Sequence, residues 1–280
     1  MQGLCQMANG ICAGFAGNAV MFSAAYLPYA WPEGYRGTTE HPIVAIAAVG
    51  TSLVVATQGY PYLFSGVTPS AINGTKLPVE QACVSAASLV VLNGMGVYAS
   101  PDGLVAVSAD GAVLLTDALI DRDSWQALRP DTLNAAAVEG RYVAQYEGGA
   151  FIFDPVSQDF TRLSENWTTA VNDIERDVLM VVDGTQVRAW QQAATPLSYT
   201  WRSKVFRIPR HSVMTCARIE AAGEVAVRFL ADGQVVLALP AVGSRPFRLP
   251  PVRASSWQVE ISATVPVERI LLASHLKALA

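Results

Sequence analysis

Carboxylates beside glycines are the first residues in this sequence that offer chemistry. Asp102 and Asp110 stand directly before a glycine, in Ser100-Pro101-Asp102-Gly103 and Ser108-Ala109-Asp110-Gly111, and Asp154, Asp177 and Asp183 sit at strand ends or in turns. Hydrolysis of a glycosidic bond needs two such groups facing one cleft. In both tetrapeptides, however, the glycine follows the aspartate at once. That is turn chemistry, with Asp accepting backbone hydrogen bonds and Gly supplying a positive φ. The three histidines, His41, His211 and His275, fall in no Ser–His–Asp or Cys–His pattern that would activate a nucleophile. Cys12, Cys83 and Cys216 lie in apolar runs, where a thiol behaves as a small hydrophobe. There is no CxxC and no phosphate-binding glycine motif. The sequence therefore predicts no catalytic, cofactor-binding or metal-binding residues, and no cofactor.

A stacking surface is the other chemistry on offer. Tyr26-Leu27-Pro28-Tyr29-Ala30-Trp31-Pro32 and Tyr60-Pro61-Tyr62-Leu63-Phe64 have the residues to receive a sugar or a base. Both read as falling at one place in a repeat, and recurrence of that kind favours packing between neighbouring units over ligand binding.

The composition says what positions these residues. Of 280 residues 51% are hydrophobic and only 15% charged, which excludes general disorder. A net charge of −4 argues against a nucleic-acid coat. The charges are unevenly placed: Glu33, Arg36, Glu40, Lys76 and Glu80 are the only five in residues 1–101. Residues 1–198 hold 8 basic and 18 acidic residues, a net of −10, and residues 199–280 hold 11 and 5, a net of +6. Such asymmetry bears on partners rather than on fold. The charge-free stretch Met1–Pro32 is broken by Asn9, Gly10, Gly14, Gly17, Asn18 and Pro28 and lacks a basic flank, so no membrane span is expected.

Five segments, starting at Ile11, Val44, Ala82, Ala135 and Thr169, share a pattern of short apolar strands separated by small-residue and glycine turns. Anchored on Val20, Val54, Val90, Val143 and Leu179 they recur at intervals of 34, 36, 53 and 36 residues, the long interval being assigned to an extra hairpin at Gly103–Thr116. This period predicts an all-β fold, with a β-propeller-like stack of about five blades of short antiparallel sheets over residues 1–194. An evenly spaced sandwich is the alternative. Five blades are few for a closed ring, which implies an unseen sixth unit or closure by another chain. One short helix is expected at Asp121–Leu128, where RDSWQAL follows Asp121 and stops before Pro130. Beyond the linker Thr195-Pro196 the pattern alternates in period two, with Trp257, Val259 and Ile261 on one face and an Asp232-Gly233 hairpin. A small antiparallel β-sandwich of six or seven strands over residues 195–280 follows.

The run PYAWPEGYRGTTEHPIVAIAAVGTSLVVATQGYPYLFSG, followed by CVSAASLVVLNGMGVYASPDGLVAVSADGAVLLT and then by WRSKVF, PFRLP and WQVEI, resembles a family of tailed-bacteriophage virion proteins. These also occur in prophages and are similar to the propeller-containing tail hub or nozzle proteins of short-tailed phages. The resemblance spans nearly the whole chain, and its motifs are structural. It implies a non-catalytic subunit of the phage tail, located in the virion, with other phage tail proteins as partners. It also implies a homo-oligomeric ring, sixfold, through which DNA passes without being specifically bound. A channel lumen should avoid rows of Lys and Arg that neutralise phosphates. The basic cluster Arg202, Lys204, Arg207 and Arg210 is then expected at contacts between subunits, although the same residues also read as the solvated face of an edge strand. The alternative function is a carbohydrate-binding or carbohydrate-processing propeller protein.

Overall fold

Strands account for 52% of the chain and helix for 7%. The computed structural model describes residues 1–192 and 194–279, and all side chains among them except those of residues 209–212 and 241. Two units are distinguished, Met1–Gln191 and Gln192–Ala280.

Closely spaced turns cut the first unit into strands too short to pair with anything but their sequence neighbours, and five antiparallel meanders result. The first sheet holds β1 (Gln2–Gln6), β2 (Cys12–Ala16), β3 (Ala19–Phe22) and β4 (Arg36–Thr38). The second holds β5 (Ile43–Val49), β6 (Ser52–Thr57), β7 (Tyr62–Ser65) and β8 (Asn73–Lys76). The third holds β9 (Val90–Leu92), β10 (Met95–Ala99), β11 (Leu104–Ser108) and β12 (Gly111–Leu114). The fourth holds β13 (Asn134–Val138), β14 (Arg141–Tyr146), β15 (Gly149–Asp154) and β16 (Asp159–Leu163), and the fifth only β17 (Thr169–Asp173), β18 (Val178–Asp183) and β19 (Gln186–Ala189). Asn93-Gly94 and Glu139-Gly140 each place two successive residues at positive φ, the turn whose twist matches that of the flanking strands.

One apolar core lies between each pair of successive sheets. Phe15, Val20 and Phe22 of the first meet Leu53, Val55 and Phe64 of the second. From the opposite face of β6, Val54 and Ala56 meet Tyr98, Val105 and Val107 of the third. Val97, Ala99 and Leu104 meet Tyr142, Phe151 and Phe153 of the fourth, and Val143 and Ala150 meet Leu179 and Val181 of the fifth. Among the described residues no such core joins the fifth sheet to the first, so the array is propeller-like but open. The expected helix is α1 (Arg122–Gln126), with the Asp121 side chain accepting from Ser124 N at 2.9 Å. It drives Trp125, fully buried, edge-on against Phe151.

The phase of the repeat differs from the sequence expectation. Val54, Val143 and Leu179 lie in second strands, but Val20 lies in the third strand of its sheet and Val90 in the first. Gly103–Thr116 is no extra hairpin, because β11 and β12 are the last two strands of the third sheet. Strands buried on both faces read as interchangeable apolar runs, so hydropathy marks a strand without revealing which strand of the blade it is.

The second unit contains β20 (Tyr199–Arg202), β21 (Phe206–Val213), β22 (Cys216–Ala221), β23 (Val225–Ala231), β24 (Gln234–Val242), β25 (Phe247–Arg248), β26 (Arg253–Ala263) and β27 (Val267–Ala273). The larger sheet runs β20-β26-β23-β24, with β21 also pairing β26, and the smaller runs β25-β22-β27. Ala217 and Ile219 of the smaller sheet pack on Val227, Phe229, Trp257, Val259 and Ile261 of the larger, a sandwich of eight strands rather than six or seven. Asp232-Gly233 turns the β23–β24 hairpin with both φ positive. The Asp232 carboxylate accepts from Ser256 N at 2.8 Å, Ser255 N at 3.1 Å and both serine hydroxyls at 3.0 Å. Those donors, the Ser256 N–H foremost, hold its pKa below the ordinary 3.8.

Two outcomes are expected from denaturation. Phe151→Ala, which empties the centre of the core between the third and fourth sheets, should cost about 3–5 kcal/mol in urea titration. Asp232→Ala should lower the melting temperature at pH 7. A carboxylate whose folded pKa is depressed contributes stability that is complete above the unfolded pKa. The gap from the parent chain should therefore close as the pH falls below the ordinary 3.8 and through the lower folded value.

Candidate interaction surfaces

The turn carboxylates do not converge. Asp102 is held at the end of the third sheet, 2.7 Å from Arg122 of α1, and accepts from Gln81 Nε2 at 2.7 Å. Trp125 Nε1 donates to Ser100 O at 2.8 Å, so α1 clamps the whole Ser100–Gly103 turn. In the next turn Asp110 N donates to Ser108 Oγ at 3.2 Å. Asp154 accepts from Val156 N at 2.8 Å and Ser157 N at 3.2 Å, which lowers its pKa. Asp177 sits at φ 51° and Asp183 pairs with Arg188. Among the described residues no group of three or more His, Cys, Asp and Glu is placed to hold a metal ion. Burial pushes the Cys5 thiol up to about 11 and the Cys83 thiol up to about 12, so neither is an activated thiolate at neutral pH. His41 stacks on Tyr60, His275 lies 3.0 Å from Ser274 Oγ, and the His211 side chain is outside the described residues.

The two aromatic clusters occupy different places, contrary to the expectation of a shared position. Tyr62 and Phe64 lie on β7 and are buried in the core between the first two sheets. A Cβ on Gly37 would fall 2.3 Å from the Phe64 ring, so only glycine admits that approach. The Tyr26–Trp31 cluster instead forms the β3–β4 loop, with Tyr26 78% and Tyr29 80% exposed. The loop is preorganised. Ala24 N donates to Ala30 O at 2.8 Å, Tyr26 N to Gly10 O at 2.8 Å, and Trp31 Nε1 to Pro28 O at 2.8 Å. Tyr26, at φ 59°, lies with its ring over Gly10 and its other face open. Hydropathy could not separate these clusters, since both combine tyrosine with proline.

The predicted contact residues lie along one sheet edge. β20 and β21 pair successively with β26, Arg202 opposite Glu260 and Phe206 opposite Trp257. Three intervening residues face two on β26, which is a bulge. Buried Ser203 fixes it: Ser203 N donates to Val259 O at 2.8 Å, and Ser203 Oγ accepts from Val259 N at 3.0 Å. The extra residue resets the alternation. Arg202 and Arg207 therefore both point away from the sandwich core, and Trp201 and Phe206 both point toward it. The smaller sheet leaves this edge uncovered, with Tyr199, Trp201 and Phe206 exposed, Trp201 by 47%. Arg202 shares Glu260 with Arg228, at 3.8 and 2.9 Å, and the Lys204 ammonium lies 5.5 Å from the Phe206 ring centroid. Arg210 lies within β21, and its side chain is outside the described residues. A groove on the outer face of the larger sheet offers one carboxylate, Glu260, already held by two guanidinium groups. Glycosidic hydrolysis needs two.

No protein-family model and no curated protein matches the chain. Among solved structures, the extracellular domain of the one-component system BT4673 from B. thetaiotaomicron is similar at 9% identity and a TM-score of 0.46, over 96% of this chain and 43% of that one. PorZ, a bacterial surface component of the type-IX secretion system of Porphyromonas gingivalis, is similar at 11% identity and a TM-score of 0.41, over 88% and 40%. The N-terminal domain of Nup159 gives 10% identity and a TM-score of 0.38, over 94% and 89%. The chain thus spans less than half the length of the first two.

Ser203→Ala should leave the buried Val259 N–H without an acceptor and destabilise the second unit by about 1–3 kcal/mol. Urea unfolding checks this, and an unchanged midpoint would show that the hydroxyl does not hold the bulge.

Proposed function

We propose that the chain is a non-catalytic structural subunit of a bacteriophage tail, part of a homo-oligomeric hub or nozzle ring around the DNA channel, with other tail proteins as its neighbours. The observation that carries the reading is the β20–β21 edge, where exposed Tyr199, Trp201 and Phe206 alternate with Arg202, Lys204 and Arg207. This edge belongs to a region of net +6, in a chain whose first 198 residues carry −10. Copies arranged head to tail bring an acidic surface to a basic one at every contact, and a heterologous contact of that kind forms a ring where its rotation closes. Aromatic side chains in such a contact supply the apolar area and arginines the orientation. The eight basic residues scattered through residues 1–198 suit a lumen that lets DNA pass without holding it. The sixfold number rests on the resemblance alone.

A second reading, a carbohydrate-binding protein, is favoured by the preorganised Tyr26–Tyr29 loop, whose exposed rings could stack on sugar faces. It predicts glycan-array binding that is lost in Tyr26→Ala/Tyr29→Ala.

Mass spectrometry of purified phage particles tests the leading reading, and absence of the chain from the virion would remove it. Arg202→Glu/Lys204→Glu/Arg207→Glu should weaken self-association about a hundredfold or more, because like charges set against each other cost several kcal/mol. Light scattering at low salt measures the change.

A further inference from the structure

In chain order, each inner sheet turns one face back to the preceding sheet and one forward to the next. Backward faces carry bulk: Leu53 and Phe64 in the second sheet, Tyr98 in the third, Phe151 and Phe153 in the fourth. Forward faces of these sheets are aliphatic, with Val54, Ala56 and Leu63, then Val97, Ala99 and Leu104, then Val143, Ala150 and Ile152. In the fifth sheet Leu179 and Val181 point backward into the last core. The register places Val171 opposite Met180 and Val182 opposite Val187, all four on the forward face. Val171 and Val187 are each 64% exposed. This is a forward face of the usual composition with nothing packed on it.

The first sheet shows the converse. Phe15, Val20 and Phe22 point forward into the first core, and alternation puts Leu4, Cys12 and Met21 on the backward face, with Leu4 66% exposed. Each end face carries one charged strand residue, and the two are opposite in sign. Asp173 lies beside Val178 on the fifth sheet, and Arg36 beside Met21 on the first. Among the described residues each is engaged by a nearby loop residue alone, Arg176 at 3.5 Å and Glu33 at 3.8 Å.

We infer that the forward face of the fifth sheet docks on the backward face of the first sheet of a second copy, as the next junction in the same series. The inference rests on the reading of the chain as an assembly subunit and names a second surface, beside the β20–β21 edge, through which copies join. A second copy supplies a backward face that is open at Leu4, with its own Met1 lying over Gly14, and it meets Val171 and Val187 with the face order that the four internal junctions already use. The contact is heterologous, so every copy keeps one donor and one acceptor face, and the assembly grows into a ring or a filament. The contact is mainly apolar and distinct from the β20–β21 edge.

The test takes as its parent the full chain carrying Arg202→Glu/Lys204→Glu/Arg207→Glu, in which the β20–β21 edge is silenced, and adds Val187→Asp and, separately, Leu4→Asp, both at exposed positions and both checked for an unchanged melting temperature. The parent chain should sediment as a multimer at about 100 μM, a concentration that reveals even weak self-association. Each variant alone should sediment at the monomer mass of 29.8 kDa. An equimolar mixture of the two should give a discrete dimer, because one intact pair of faces remains. A monomeric parent, or variants that keep the parental assembly, would overturn the inference. Absence of the chain from phage particles would remove the virion reading instead and leave this result standing.

Discussion

A sheet of three or four short strands has two faces and no interior of its own, and the first unit is organised by that constraint. Each sheet excludes water from a face only by pressing it against another sheet. The inner sheets must therefore be apolar on both sides, and β6 and β11 are buried along almost their whole length. Fully burying one Leu, Phe or Val side chain contributes about 1.5–3 kcal/mol, whereas a charge in the same place would need a partner. This accounts for the five charges in residues 1–101 without any recourse to a membrane. Among the described residues no helix is long and apolar enough to cross one. Between the third and fourth sheets, α1 contributes Trp125 to the core, its indole N–H satisfied by Ser100 O.

Much of this was legible from residue types. The Asp232-Gly233 hairpin, the short helix after Asp121 and the inward face of Trp257, Val259 and Ile261 follow from turn chemistry, helix stop signals and period two, and the structure has all three. What was not legible shares a physical cause: it depends on counting rather than on pattern. Val20 and Val90 look like Val54 because every strand of a doubly covered sheet is apolar. The bulge at Ser203 inserts one residue and reverses the facing of everything after it, and no composition signal marks it. Tyr26 and Tyr62 have similar neighbours, yet one stands in a long loop and the other in a strand.

The candidate surfaces obey the same logic as the cores. The β20–β21 edge is exposed because the smaller sheet of the sandwich does not reach it, and the end faces of the array are exposed because the sheets on which they would stack are not part of the same series. Apolar area left open by the geometry of a fold is the ordinary signature of an interaction site. In the first unit Asp102, Asp154 and Asp183 are each engaged by a backbone N–H or an arginine, on three different sheets.

The two units differ in how soon they can form during synthesis. Every sheet of the first unit pairs strands adjacent in sequence, so each meander can close as soon as its last strand leaves the ribosome and can gain its core when the next one follows. Such local pairing favours rapid, sequential folding. The sandwich cannot proceed in this way. β20, β21 and β23 all pair with β26, so Arg202 waits for Glu260 and the larger sheet waits for nearly the whole unit. Until β26 emerges, Trp201 and Phe206 sit on strands without a partner, and this is the interval in which the nascent chain is most exposed to mispairing.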